Sequence, residues 1–455
     1  MSGTFSSLSS ALSALRYNRV AMDVASGNVA NAGTAGYARR MAVAQSVGAP
    51  AVPAMWSRWE GAAGGVETGG IVRMVDPFLD ARSRSEHGMQ SYLDARAAAL
   101  VRVESTLGEP GDNGLAASLA EFKQGWHDVA NNPDDGAARS QVLEAGKTLV
   151  VSIASQARSV SSEWADQRDR LTALTTEVTS LSGDLAKIND SLRVAAVAGT
   201  DAGALLDRRD QLTLRLSELT GATTTTNDDG TVDLSVGGVA LVEGNTVHPM
   251  TVAGAGDLDG AGASPVTVSI GGAPVTVTRG EIGAATSLLD TTLPSYLSRL
   301  DTVVKAIADA VNGQHTAGKD LNGDAGTAFF TGDTAASIAV ALTDPDKIAA
   351  AAMTGGPLDS SNADKLAGLP LGGDDYRRLV TGFGSEVASA RRVAGNQSIL
   401  TSQVDASREA LSGISIDEEM VALLAAQRGY EGAARVLTAL DSVLDTLINR
   451  TGLLR

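Results

Sequence analysis

The chain contains no cysteine, which excludes disulfides, thiolate metal sites and cysteine nucleophiles together. Aromatic residues are scarce, at 4% of 455 positions. The apolar mass is therefore Ala, Leu and Val, which pack between helices more readily than they line an aromatic pocket. Long hydrophobic runs are also lacking. The run at 420–426 falls far short of the ~20 residues of a membrane span. The N-terminus alternates Ser with Leu and Ala where a secretory signal would carry an unbroken apolar stretch. The chain is thus expected to be cytosolic, or to be exported without a cleaved signal peptide.

Positive charge is in short supply. Lys and Arg number 36 against 53 Asp and Glu, a net charge of −17. Phosphate backbones and anionic lipid surfaces repel such a chain, so neither nucleic acid nor membrane insertion is expected.

Catalytic constellations are missing as well. His87, His127, His248 and His315 are scattered, with no His-x-x-x-His pair to hold zinc. Gly146-Lys147-Thr148 resembles the end of a phosphate loop, but Gln141 stands where the first glycine belongs and the triplet lies inside a helical pattern. The segment 320–324 supplies the first three ligand positions of a calcium loop. Ala325 then occupies the place of its glycine, and Thr331 that of its bidentate Glu. No nucleophile elbow occurs. No enzyme activity, catalytic residue, cofactor or metal is assigned.

Periodicity is what the sequence does have. Ile153, Ala157, Val160, Trp164, Gln167, Leu171, Leu174, Val178, Leu181, Leu185, Ile188 and Leu192 step by fours and threes, and predict one long helix over 141–197. A second helix carrying Leu205, Leu212, Leu216 and Leu219 folds back on it. At 221 the period changes to two. Gly237-Gly238 and Gly271-Gly272 then read as hairpin turns inside a small acidic β-insert. Helical spacing returns at Leu293–Val311 and again at Val380–Ala394, with loops and short elements over 312–375 between them. The stretch 41–85, with Trp56, Trp59, Ile71, Val72 and Val75, reads as extended chain or strands covering the bundle. Asp207, Arg208, Arg209 and Asp210 read as a helix-end ion-pair network, with an interface latch as the alternative.

The two ends match each other. Leu8, Leu12, Leu15, Met22 and Val29 form one stripe; Met420, Leu423, Tyr430, Leu437, Leu440, Leu444 and Leu447 form another. Residues 1–40 carry four arginines against Asp23, whereas 411–455 are net acidic, so the ends are expected to pair. The predicted fold is α+β, predominantly α: a long-helix bundle core with paired N- and C-terminal helices and an inserted small β-domain. The domains are 1–36 plus 412–455, a coiled-coil-like axial domain; 37–220 plus 281–411, a helical core; and 221–280, the β-insert.

The N-terminal stripe runs into NVANAGTAGYARR at 28–40. That segment resembles the signature of bacterial flagellar axial proteins, with Asn28, Asn31, Gly36 and Tyr37 retained and Ala35 in the place of a proline. The segments 122–143, 205–219, 310–330 and 414–450 resemble the hook-associated protein 1 family within that group. The resemblance implies a structural adaptor of the flagellum that joins hook to filament, reached by type III export and lying outside the cell. It implies as partners further copies in a ring at the hook end, the hook protein, the second junction protein, and an export chaperone at the C-terminal helix. The assembly surface is expected on the two stripes and the four signature residues. The alternatives are another axial protein, either the second junction protein or the hook protein, or a secreted coiled-coil adhesin whose β-insert binds a ligand.

Overall fold

A computed structural model describes residues 2–47, 64–109, 111 and 114–446, with side chains described from residue 7 onward. Helix α1 (Ser2–Ala30) leads into a hairpin of β1 (Arg40–Ser46) and β2 (Val66–Arg73). Helices α2 (Pro77–Leu107), α3 (Leu115–Asn131), α4 (Gly136–Ala198) and α5 (Gly203–Thr220) follow. Strands β3 (Thr223–Thr226), β4 (Val232–Val236), β5 (Val239–Glu243) and β6 (Thr246–Val247) form one antiparallel sheet in sequence order. Strands β7 (Met250–Ala253), β8 (Thr267–Ile270) and β9 (Ala273–Val275) make a second, with a short α6 (Leu258–Ala261) between β7 and β8. Helices α7 (Gly280–Ser287) and α8 (Leu293–His315) then lead through two-stranded pairings of β10 to β13 (318–352) and α9 (Ser361–Ala367) to the long α10 (Gly373–Ser412) and α11 (Ile416–Asp445).

Helix α4 organises the body. Its 63 residues span about 95 Å. Asp135 caps its start by accepting from the Ala137 N–H, and Gly199 ends it in the left-handed conformation at φ 61°. Ile153, Val160, Trp164, Leu171, Val178 and Leu185 on its predicted seam are fully buried. One apolar cluster runs from Phe122 on α3 through this seam into Leu234, Val242, Val268 and Ile270 of the two sheets. Asn189 fastens helix to sheet: its amide donates to the carbonyls of Val232 and Gly244, and its Oδ1 accepts the Val232 N–H at 3.1 Å. Both glycine pairs turn as predicted. Gly237 and Gly238 lie at φ 55° and 85°, and Gly271 and Gly272 at 57° and 85°, the two positive values that a type I′ turn demands.

Between α7 and α8 the chain makes a π-turn over Leu288–Thr292, in which the Leu293 N–H bonds to the Leu288 carbonyl. In that register the next donor would be residue 294, a proline with no N–H. The orphaned Leu289 carbonyl is taken by the indole N–H of Trp164 at 3.0 Å. A substitution at Trp164 would therefore cost a hydrogen bond as well as apolar burial.

The loop after α8 is pinned by two side chains. Asn312 accepts the N–H groups of Phe329 and Phe330 and donates to the Phe330 carbonyl. His315, fully buried, sits with Nδ1 2.6 Å from the Thr327 carbonyl while its Nε2 accepts the Ala349 N–H at 3.0 Å. The rings of Phe122, Trp126, His315, Phe329 and Phe330 pack together in edge-on and tilted pairs. The carboxylates of Asp320 and Asp324, the candidate calcium ligands, both hold the ammonium of Lys347 at 2.9 Å.

One expectation is corrected. Among the described residues of 41–85 the strands are β1 and β2, and the last part is helical, because α2 starts at Pro77. Asp76 caps it by accepting from Phe78 and Leu79, with proline at the first helical position. The buried face of α2 includes Ser83, Gly88, Ala97 and Ala99, so its N-terminal half carries no stripe of large apolar residues to read. Trp56 and Trp59 lie outside the described residues.

Candidate assembly interface

Helices α1 and α11 pack against each other along their length. Among the described residues of the two helices, the buried apolar ones are Ala11, Ala25 and Ala426. At Gly429 an added Cβ would come 2.5 Å from Asn18 Oδ1, so small side chains set the close approach of the two helices. The predicted stripes lie on and beside this seam. Leu8, Leu15, Met22, Val29, Leu423, Leu437, Leu440 and Leu444 are half-buried. Leu12 and Tyr430 remain 43% and 39% exposed. Leu447 lies outside the described residues. Val421, Leu424, Val436 and Val443 are exposed on the flanks, so the pair leaves apolar surface uncovered.

Two chain segments cross between the terminal unit and the body, 73–76 and 412–415, and the stretch 37–40 that leads from α1 into the hairpin lies beside them. They bond to one another in a neck. The Arg39 N–H donates to the Ser412 carbonyl at 3.0 Å, and the Met74 N–H to the Arg39 carbonyl at 2.8 Å.

Asn28 is the hub on the terminal side. It is fully buried, and its amide donates to the Arg40 carbonyl at 2.8 Å and to Glu419 Oε2 at 2.9 Å. Its Oδ1 accepts the Arg40 N–H and the Tyr37 hydroxyl at 3.1 and 3.0 Å. Burial pushes the Tyr37 phenol above its usual range, which keeps the donated proton in place. Asn31 donates to the Gly27 carbonyl and finishes α1. Gly36 turns at φ 76°, where a Cβ would strike Gln211; that residue donates to the Ala35 carbonyl at 2.6 Å. Three of the four signature residues thus build the neck, and the fourth ends the helix that leads into it.

Sequence reasoning left out the ionic part of the neck. Arg39 and Arg40 are adjacent in extended chain, so their side chains leave on opposite faces. Arg39 reaches up to α11, with Nε 2.7 Å from buried Glu419 and Nη1 3.1 Å from Glu418. Arg40 reaches down to α5, with Nη2 3.0 Å from Asp207. Asp207 also holds Arg73 at 2.8 Å and the Ala38 N–H at 3.4 Å, while Asp210 holds Arg73 at 2.8 Å and Arg209 at 2.6 Å. The acidic members of the 207–210 cluster therefore grip the neck, and the helix-end network read from the sequence is only its Arg209–Asp210 part. The Arg39-Arg40 doublet was the available signal. Chemically the arrangement is mechanical: its charges are engaged in pairing one segment to another.

The model of the flagellar hook-associated protein FlgK helical domain matches residues 100–330. This chain belongs to that flagellar hook-associated family. The FlgK-type match covers the body from the end of α2 to Phe330, while the C-terminal model of the flagellar basal body rod FlgEFG proteins matches 407–450, from the neck through α11. Flagellar hook-associated protein 1 of Bacillus subtilis (strain 168) is 28% identical over 99% of both chains. Its namesake in Escherichia coli (strain K12) is 23% identical over 97% of this chain and 99% of that one. The flagellar hook junction protein FlgK from Burkholderia pseudomallei aligns with a TM-score of 0.66 and 14% identity over 73% of this chain and all of that one, which establishes the shared, mainly helical fold. The relatives are structural proteins of the flagellum, and that is where this family member resides. Among the described residues no helix is long and apolar enough to cross a membrane.

Proposed function

We propose that this chain is a structural adaptor of the bacterial flagellum that joins hook to filament by self-assembly through its terminal helices. One observation carries the reading: the α1/α11 pair, tethered by the neck to a closed body, leaves its own apolar stripe half covered. A half-covered stripe on a paired helix is complete only against further subunits. The assembly surface is then Leu8, Leu12, Leu15, Met22 and Val29 with Leu423, Tyr430, Leu437, Leu440, Leu444 and Leu447, held in register by Asn28, Asn31, Gly36 and Tyr37.

The partners that follow are further copies in a ring, the hook protein below and the second junction protein above. Before assembly, the same C-terminal stripe is the surface for an export chaperone, and the chain travels through the flagellar type III channel without a cleaved signal. Its role is structural, not enzymatic. The axial unit remains 1–36 with 412–455, and the bond of the Val66 N–H to Ser13 of α1 at 3.3 Å supports adding to it the β1–β2 hairpin, which the sequence reading put in the 37–220 core.

The test is negative-stain imaging of purified protein added to isolated hooks, followed by flagellin. Capped hook ends that support filament growth are the expected result. Bare ends that never nucleate filament would refute the reading.

A further inference from the structure

On the body side, the neck is held by charge where packing is missing. An open cleft of about 810 Å³ separates the β1–β2 hairpin from the loop 199–203, lined by Val20, Thr68, Ile71, Val72 and Leu206 among others. Ile71 and Val72 on the hairpin are each 41% exposed. Apolar contact therefore does not fix the distance between hairpin and body along this side.

What spans the gap is α5. Asp207 is 7% exposed and bonds to two of the three segments of the neck, at Ala38 and Arg40 in the first and at Arg73 in the second. Asp210, three residues on, takes the same Arg73 guanidinium. Arg73 is itself only 9% exposed at its side chain, so this pairing is shielded from solvent and weakly screened by salt. Gly203 makes room for the arrangement, since a Cβ there would lie 2.6 Å from the Arg40 guanidinium carbon.

We infer that Asp207 and Asp210 are positioning residues that fix the angle between the terminal unit (α1, the hairpin and α11) and the helical body. Glu419 has a different role, since it binds Asn28 and Arg39 within the terminal unit. The two sides of the Arg39-Arg40 doublet are thus separable: the upward arginine holds the unit together, and the downward one holds it to the body. The inference deepens the assembly reading and rests on it for its biological use, because neighbouring copies can meet only if their terminal units are presented at one angle.

The chain's lack of cysteine makes the angle measurable. Cysteines placed at Val197 on α4 and Val436 on α11, which are 88% and 49% exposed, carry spin labels for electron–electron distance measurement on the free, full-length protein. The otherwise unmodified protein should give one narrow distance distribution. Asp207→Asn with Asp210→Asn should broaden it strongly, with helix content and body melting retained. Arg40→Gln with Arg73→Gln leaves α5 unaltered and should broaden it equally, which guards against a local defect in α5. Asp207→Glu alone should restore much of the narrow peak, and Glu419→Gln should broaden it less than either pair. Narrow distributions in both double variants would overturn the inference. Because distances are read on the free chain, failure of the parent protein to cap hooks would count against the assembly reading and leave this one standing.

Discussion

Helices α4 and α11 are both long and both carry apolar residues at helical spacing, yet the body finishes one and leaves the other open. On α4 the seam from Ile153 to Leu192 is covered by α3, α5, α7, α8 and the two sheets. On α11, the buried residues over Ile416–Asp445 are Glu419 and Ala426, and its large apolar side chains are half-buried or exposed. The difference lies in what faces them. Large residues such as Trp164 and Leu171 interlock with equally large partners and exclude solvent. Ala and Gly on α1 and α11 bring two backbones close and leave the leucines on the flanks. A monomer so built has a finished body and an unfinished end.

The comparison predicts the largest loss of stability at the centre of α4. Trp164→Ala should lower unfolding stability by about 3–5 kcal/mol, the usual cost of truncating a buried large aromatic. The unpaired Leu289 carbonyl at the π-turn adds to that loss. Denaturant unfolding followed by circular dichroism measures it, and a loss under about 1 kcal/mol would mean that the seam is not the centre of the body.

Next in size is the hub of the neck. Asn28→Ala strips one donor from buried Glu419 and leaves the Arg40 backbone unpaired, which should cost about 1–3 kcal/mol in docking the terminal pair. The loss should appear as faster hydrogen exchange in 20–46 and 416–430, with the melting of the body unchanged. Equal acceleration throughout α4 would contradict the division.

How much of this could be read from the sequence followed the range of the signal. The α4 seam and both glycine turns are local patterns, decided by a few neighbouring residues, and the sequence contained them outright. Helix α2 was harder, because Ser83, Gly88, Ala97 and Ala99 bury without an apolar period; Asp76-Pro77 was the cap that marked it. The grip of Asp207 on Arg40 joins residues 167 positions apart, and no spacing rule connects them. The partner of the calcium-like segment was hidden for the same reason, since Lys347, which pairs with Asp320 and Asp324, comes from a different turn of the chain. The stripes were legible as stripes, but only coordinates show that α1 and α11 leave them half covered.

A smaller, pH-confined effect belongs to the body. Burial holds the His315 imidazole below the usual value of about 6.5, and its two hydrogen bonds need the neutral form with the proton on Nδ1. The unfolded chain takes up a proton below about pH 6.5 while the folded chain does not. The contribution of His315 is therefore complete above that pH and declines as pH falls toward the lowered folded value. Thermal melts from pH 7.5 to 5 should show this decline, and His315→Gln should flatten it while lowering stability at pH 7.5. A parallel slope in both proteins would assign the pH dependence elsewhere.

The smallest effect on folding should accompany the largest on function. Leu440 and Leu444 lie four apart on one face of α11, half-buried in the terminal unit. Changing both to Asp removes apolar contact worth about 1.5–3 kcal/mol per fully buried leucine, roughly half of which the free chain realises, and adds the cost of desolvating carboxylates at any interface. Body melting should stay within about 0.5 kcal/mol of the parent, because none of its seam is touched. Hook ends should stay uncapped, and cells carrying the variant should be non-motile and shed flagellin into the medium. Export has to be followed in the same cells by assaying the variant in the culture supernatant, since a chaperone at this stripe would give the same non-motile phenotype by retaining it. Secreted variant with normal swimming would show that the C-terminal stripe is not an assembly surface. A collapse of body melting would show that α11 belongs to the core after all, and the contrast with α4 would fall with it.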